Sequence, residues 1–155
     1  QAASIASTIG GASILGRLAM GATGDRAGNR RALVITYIVL IAALCWLQLA
    51  KELWALYLFA AIYGFAHGGF FAVISPLIAE LFGTRSHGVI FGMVLSTGQL
   101  GGAVGPVVAG YIFDTIQSYR IAFFTLIAAS LIGLVLAILL KPTRVSPQKR
   151  LAGEA

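Results

Sequence analysis

Hydrophobic residues run through this chain in long unbroken blocks rather than in the alternating or one-faced patterns of a soluble fold. Four stretches, Ala32–Ala50, Leu53–Ala79, Gly88–Phe113 and Ile121–Leu140, contain no Asp, Glu, Lys or Arg, and a fifth, Ala2–Ala22, contains only Arg17. A hydrocarbon core about 30 Å thick takes roughly 20 apolar helical residues to cross. The pattern therefore predicts an all-α membrane protein with five transmembrane helices, over residues 2–22, 32–50, 53–79, 88–113 and 121–140. The connections are short, down to Lys51–Glu52, which predicts successive helices as antiparallel neighbours in one bundle. Residues 141–155 hold Pro142, Pro147, Lys149, Arg150 and Gly153 without apolar periodicity and predict a solvated, disordered tail.

Within the runs, Pro76 and Pro106 each remove a backbone hydrogen bond that only a neighbouring group can restore in lipid, so broken or bent helices are expected at both. The fourth run is dense in small residues: Gly98 and Gly102, and Gly101 and Gly105, stand four apart, as do Gly64 and Gly68 in the third. Small residues at that spacing let helix backbones approach closely. Static packing and a moving interface are both consistent with them.

Composition agrees with the pattern: 59% of the 155 residues are hydrophobic and 10% charged, against about 45–50% and 25% in soluble domains. The net charge of +6 raises nucleic acid as a partner, but the placement of the charges argues against it. With alternate loops on opposite sides, eight Lys and Arg (Arg26, Arg30, Arg31, Arg85, Lys141, Arg144, Lys149, Arg150) share one side and two (Lys51, Arg120) the other. That asymmetry places the tail and the loops at 23–31 and 80–87 in the cytoplasm, with Gln1 outside. Cys45 is the one cysteine, so neither an internal disulfide nor a thiolate metal cluster is available. The chain opens without Met or a basic leader, which reads as a cut through a longer multi-pass cell-membrane protein.

Chemistry inside the spans rests on few residues. Arg17 is the only formal charge there. An Arg at mid-helix costs about 2.5–3.5 kcal/mol on insertion scales, so such residues face the bundle interior and serve an ion or substrate path. Gly21 follows four residues later, roughly 6 Å along the helix, so snorkelling to the cytoplasmic interface is the competing reading. His67 is suited to proton relay or to hydrogen-bonded packing. His87 is expected to be solvated in its loop. Gln99 is the strongest polar group of the fourth run besides Ser96 and Thr97. The five carboxylates all lie outside the spans, and no Ser/His/Asp set or metal cluster accompanies them, so an intramembrane enzyme is not expected and neither a cofactor nor a metal is called for.

The segment Gly21-Ala22-Thr23-Gly24-Asp25-Arg26-Ala27-Gly28-Asn29-Arg30-Arg31 resembles the loop signature of the major facilitator superfamily: Gly, three residues, Asp, Arg or Lys, one residue, Gly, then basic residues. Gly21, Asp25, Arg26, Gly28, Arg30 and Arg31 carry the likeness, and Asn29 replaces a frequent basic residue. Gly101, Gly105, Pro106 and Gly110 are similar to a glycine-proline bend of some branches, where they pack helices. Gly16-Arg17 ahead of the loop resembles the monocarboxylate and oxalate/formate branches, in which an Arg here binds the substrate carboxylate. Ser13 departs from the Asp of animal monocarboxylate carriers, and the fourth run lacks the Lys of oxalate exchangers. One cationic site fits a monoanion better than a dianion.

The resemblance implies helices eight to twelve of a twelve-helix carrier that performs symport or antiport by alternating access. The partners it implies are a small organic anion, the lipid bilayer and a missing N-terminal half that forms the other wall of the cavity. It also implies a cytoplasmic gate at Asp25 and Arg26, for which a charged turn that only sets topology is the plainer reading. A phosphate-binding loop is disfavoured, since no strand precedes it and no Gly-Lys-Ser/Thr follows. The expected substrate contacts are Arg17, His67 and Gln99. A five-span accessory or scaffold subunit is the rival reading.

Overall fold

The computed structural model describes residues 2–50 and 52–140. Five helices, α1 (Ala2–Ala27), α2 (Asn29–Leu49), α3 (Leu53–Phe82), α4 (His87–Ile116) and α5 (Arg120–Leu139), each have the length and composition to cross a bilayer. The expected orientation and disorder of the tail concern residues 141–155, and the placement of Gln1 and Lys51 concerns those residues; all lie outside the described ones.

The helices outrun the apolar stretches, since backbone pairing continues as long as hydrogen bonds can be made, whatever the side chains. The segment 23–31, expected as a loop, is helix on both sides of a single residue. The Gly28 N–H donates to the Gly24 carbonyl at 2.9 Å and closes α1, while the Gly28 carbonyl accepts from Arg31 and Ala32 and opens α2. Serving both helices puts Gly28 at φ 92°, a conformation that a side chain would strain. Asp25 and Arg26 accordingly sit in the last turn of α1. α3 and α4 also run unbroken through Pro76 and Pro106, so the expected breaks are not seen. One missing ladder bond is tolerated within 30 residues of continuous pairing.

Several hydroxyls inside the helices are satisfied locally. Thr36 donates to the Ala32 carbonyl at 2.9 Å, and Thr8, Thr23, Thr125 and Ser130 repeat the bond to the carbonyl four residues back. In lipid this removes the cost of an unpaired polar group.

Packing is uneven. α3 lies at the centre, most extensively against α1 and next against α2, while α5 lies on α2. The neighbour of α1 is thus chiefly α3, two helices on, rather than α2. A core of Met20, Leu33, Val73, Leu77 and Ala137 joins α1, α2, α3 and α5. α4 has no buried residue and exposes Val89, Met93, Leu100, Val104 and Val107.

The α1–α3 seam is backbone against backbone. A Cβ at Gly64 would stand 2.5 Å from the Ile9 carbonyl oxygen; one at Gly68 would run into the Ser13 carbonyl, and one at Gly16 into that of Phe65. Gly64 and Gly68 therefore form a close-approach pair, as their spacing predicts. Around Gly98, Gly101, Gly102, Gly105 and Gly110 nothing lies within 4 Å among the described residues.

Candidate functional site

The seam fixes one side of the site. Ser13 and Gly16 are buried against α3, and Arg17, next along α1, is exposed at the edge of the contact. Ser13 keeps 8% of its surface, and its small side chain suits a position where the two backbones touch. Across the seam, His67 precedes Gly68 and is also exposed. Gly16 meets the Phe65 backbone and Gly68 that of Ser13, so Arg17 and His67 each adjoin a residue of the same seam.

His67 is held by rings. It stacks on Tyr63 with centroids 5.8 Å apart and planes 14° from parallel, and meets Phe71 edge-on at 5.0 Å. Tyr63 stacks in turn on Phe59 at 5.4 Å. These residues recur every fourth position, so on a 3.6-residue helix they share one stripe. Ring contacts, not a hydrogen bond, orient this imidazole among the described residues.

A cavity of about 450 Å³ opens beside the stripe, between α2, α3 and α4. Its polar side chains include Thr36, Tyr37, His67 and Gln99, set among Phe70 and Phe71. His67 and Gln99, which are 32 positions apart, line this one space. Arg17, on α1, is not part of its lining. The arrangement offers a cation at one side, a neutral amide at another and an aromatic surface between. Such a mix of mostly apolar walls and few polar groups is typical of small-molecule sites.

The cytoplasmic corner holds a second group. Asp25 and Arg26 are exposed, and Gly21 has open space beside it. Asn29, the departure from the basic signature, donates from Nδ2 to Glu80 Oε1 at 2.7 Å and so ties the start of α2 to the end of α3. Arg30 reaches α5, donating from Nε to the Ala137 carbonyl at 3.4 Å and from a terminal nitrogen to the Ile138 carbonyl. Those carbonyls belong to the last turn of α5, where the helix dipole favours a cation. Arg31 is exposed.

Arg30 thus caps a helix more than 100 positions away, a role that no local pattern announces. Arg30→Ala is expected to destabilise the folded bundle by about 1.5–3 kcal/mol, the range for a hydrogen bond to a charged group. Arg30→Lys should recover part of this, since it keeps the charge but not the fork. Thermal unfolding in detergent reads both; equal stability of all three proteins would deny the cap.

His87, expected as a solvated loop residue, is instead the first residue of α4. Its Nε2 lies 3.2 Å from the Ser75 hydroxyl, and its ring stacks on Phe91 at 5.7 Å. The helix starts earlier than the apolar run, so the imidazole is folded into the α3–α4 corner.

Comparison with known proteins follows the same line. A family model for the Major Facilitator Superfamily matches residues 1–155. Monocarboxylate transporter 12 of Rattus norvegicus is 31% identical over 127 residues, covering 79% of this chain and 26% of that protein. Monocarboxylate transporter 12 of Homo sapiens is 29% identical over 163 residues, covering 100% of this chain and 31% of that protein. Monocarboxylate transporter 9 of Pongo abelii is 30% identical over 91 residues, covering 59% and 18%. The chain therefore spans between about a fifth and a third of the length of these relatives. No solved structure matches.

Proposed function

The chain belongs to the Major Facilitator Superfamily, and on that footing we propose that it forms the C-terminal part of a secondary carrier for a small organic monoanion. The observation that carries the reading is the exposed Arg17 beside the α1–α3 seam, the one charge between residues 2 and 22 of α1. A guanidinium this deep in an apolar helix is stabilised by meeting an anion, and its fork matches a carboxylate with two parallel hydrogen bonds. The printed names of the relatives, monocarboxylate transporters, support the same class. The open faces of α1 and α4 support a missing half that closes the site, with α1–α5 standing as helices eight to twelve. Substrate then sits between two halves that expose it alternately to each side.

Arg17 is the carboxylate's partner in this proposal, His67 and Gln99 are further contacts, and Asp25 with Arg26 at the exposed end of α1 forms the latch toward the missing half. Residues 141–155 lie in the cytoplasm, a placement supported by the basic residues gathered at that end.

The full-length carrier in proteoliposomes is expected to take up labelled lactate saturably, with competition from other monocarboxylates and none from neutral sugars. A single cysteine at exposed Glu52 in a Cys45-free protein is expected to react with an impermeant thiol reagent on intact cells. Absence of monocarboxylate uptake or binding would overturn the substrate class, and Glu52→Cys protected until lysis would overturn the orientation.

A further inference from the structure

We infer that the preferred substrate carries a flat aromatic ring behind its carboxylate, an arylalkanoate rather than a short aliphatic acid; this rests on the reading of Arg17 as the carboxylate's partner. The shape and chemistry of the cavity carry the inference. One wall is aromatic: Tyr63, His67 and Phe71 line it ring to ring along α3 with centroid separations of 5.8 and 5.0 Å. Phe70 extends it, met edge-on by Tyr37 of α2 at 6.3 Å.

The opposite wall, on α4, sets Val94, Leu95 and Gln99 around two glycines. α4 presents Gly98 and Gly102 there, and nothing stands within 4 Å of the place a Cβ would take at either. Gln99 lies between them in sequence and supplies the amide. Rings on one side and the space left open at the two glycines on the other leave a slot between them, which suits a planar group. None of the lining residues is Asp, Glu, Lys or Arg, so a carboxylate finds its cation only beyond the slot, at Arg17. The slot then receives the uncharged end of the molecule. A three-carbon acid fills a small part of 450 Å³ and leaves most of the aromatic wall wet, whereas a phenyl group covers it and gains ring–ring attraction.

The test compares acids with one head group: lactate, phenyllactate, and cyclohexyllactate, whose saturated ring has similar bulk without the flat face. Labelled lactate and labelled phenyllactate are taken up by proteoliposomes of the full-length carrier, and each acid is used as competitor. Phenyllactate is expected to compete about ten- to a hundredfold more strongly than lactate, as burial of a phenyl group implies. It should exceed cyclohexyllactate by about three- to tenfold, the range for an aromatic contact beyond area alone. Phe71→Leu and Gly98→Val should each narrow the phenyllactate-to-lactate ratio, the first by removing a ring and the second by filling the slot.

Phenyllactate no stronger than lactate in the wild type overturns the inference, whatever the variants do. If lactate is transported in that case and Arg17→Lys abolishes it, the carboxylate reading stands alone. If neither acid is transported nor raises the carrier's thermal stability, both fall together.

Discussion

Arg17→Lys in the full-length carrier is expected to bind a monocarboxylate about ten- to a hundredfold more weakly than the wild type. The charge is kept, and what is lost is geometry: the planar guanidinium donates two parallel hydrogen bonds to one carboxylate, and an ammonium donates from a point. A hydrogen bond between charged groups is worth about 1.5–3 kcal/mol, and each 1.4 kcal/mol is about tenfold in affinity. The competing view, that Arg17 snorkels to the cytoplasmic headgroups, makes the opposite forecast. Lys snorkels as well as Arg, and the variant would then behave as wild type. Substrate affinity in reconstituted protein separates the two, with thermal stability, measured with and without substrate, as the check on folding. Wild-type affinity in the Lys protein would remove the carboxylate clamp and, with it, the main reason to prefer an anion to a neutral solute.

The second large effect is expected at the α1–α3 seam. Gly68→Val places a side chain against the Ser13 backbone, and Gly64→Val does the same at Ile9, 2.5 Å away already at Cβ. Overpacking against side chains costs about 1–3 kcal/mol because rotamers and neighbours give way. Here the obstacle is the main chain of a packed helix, so the upper end or more is expected, about 3 kcal/mol. The helices must part to admit the new atoms, and Arg17 then shifts relative to His67, so transport should fall even where folded protein persists. Gly10→Ala on α1, with nothing within 4 Å, is the internal control and should be close to neutral. Thermal unfolding of the three proteins, with uptake measured on each, provides the comparison. A Gly68→Val protein as stable as Gly10→Ala would mean that the two helices do not meet there.

The aromatic stripe on α3 was open to reading in advance, since Phe59, Tyr63, His67 and Phe71 stand four apart in an apolar run. Aromatic residues are ordinary in such runs, and only the cavity beside them singles these out. His67 and Gln99 were chosen for their polarity in apolar surroundings. Their meeting in one space depended on how α3 and α4 cross. The segments in which His87 and Arg30 sit read as loops, yet each side chain meets a partner on another helix, Ser75 for His87 and the Ala137 carbonyl for Arg30.

Membrane residence, the number of spans and their approximate limits follow from the sequence alone, because the cost of a charge in hydrocarbon is local and can be read position by position. The basic asymmetry is local in the same sense. Tertiary structure decided which helices touch. The glycines at 64 and 68 and those at 101 and 105 have the same spacing and similar apolar surroundings, yet the first pair meets backbone and the second meets open space. The difference is physical: lipid offers apolar surroundings as good as another helix does, so hydropathy has no preference between them. Close fit decides association in the bilayer, and fit belongs to two surfaces at once.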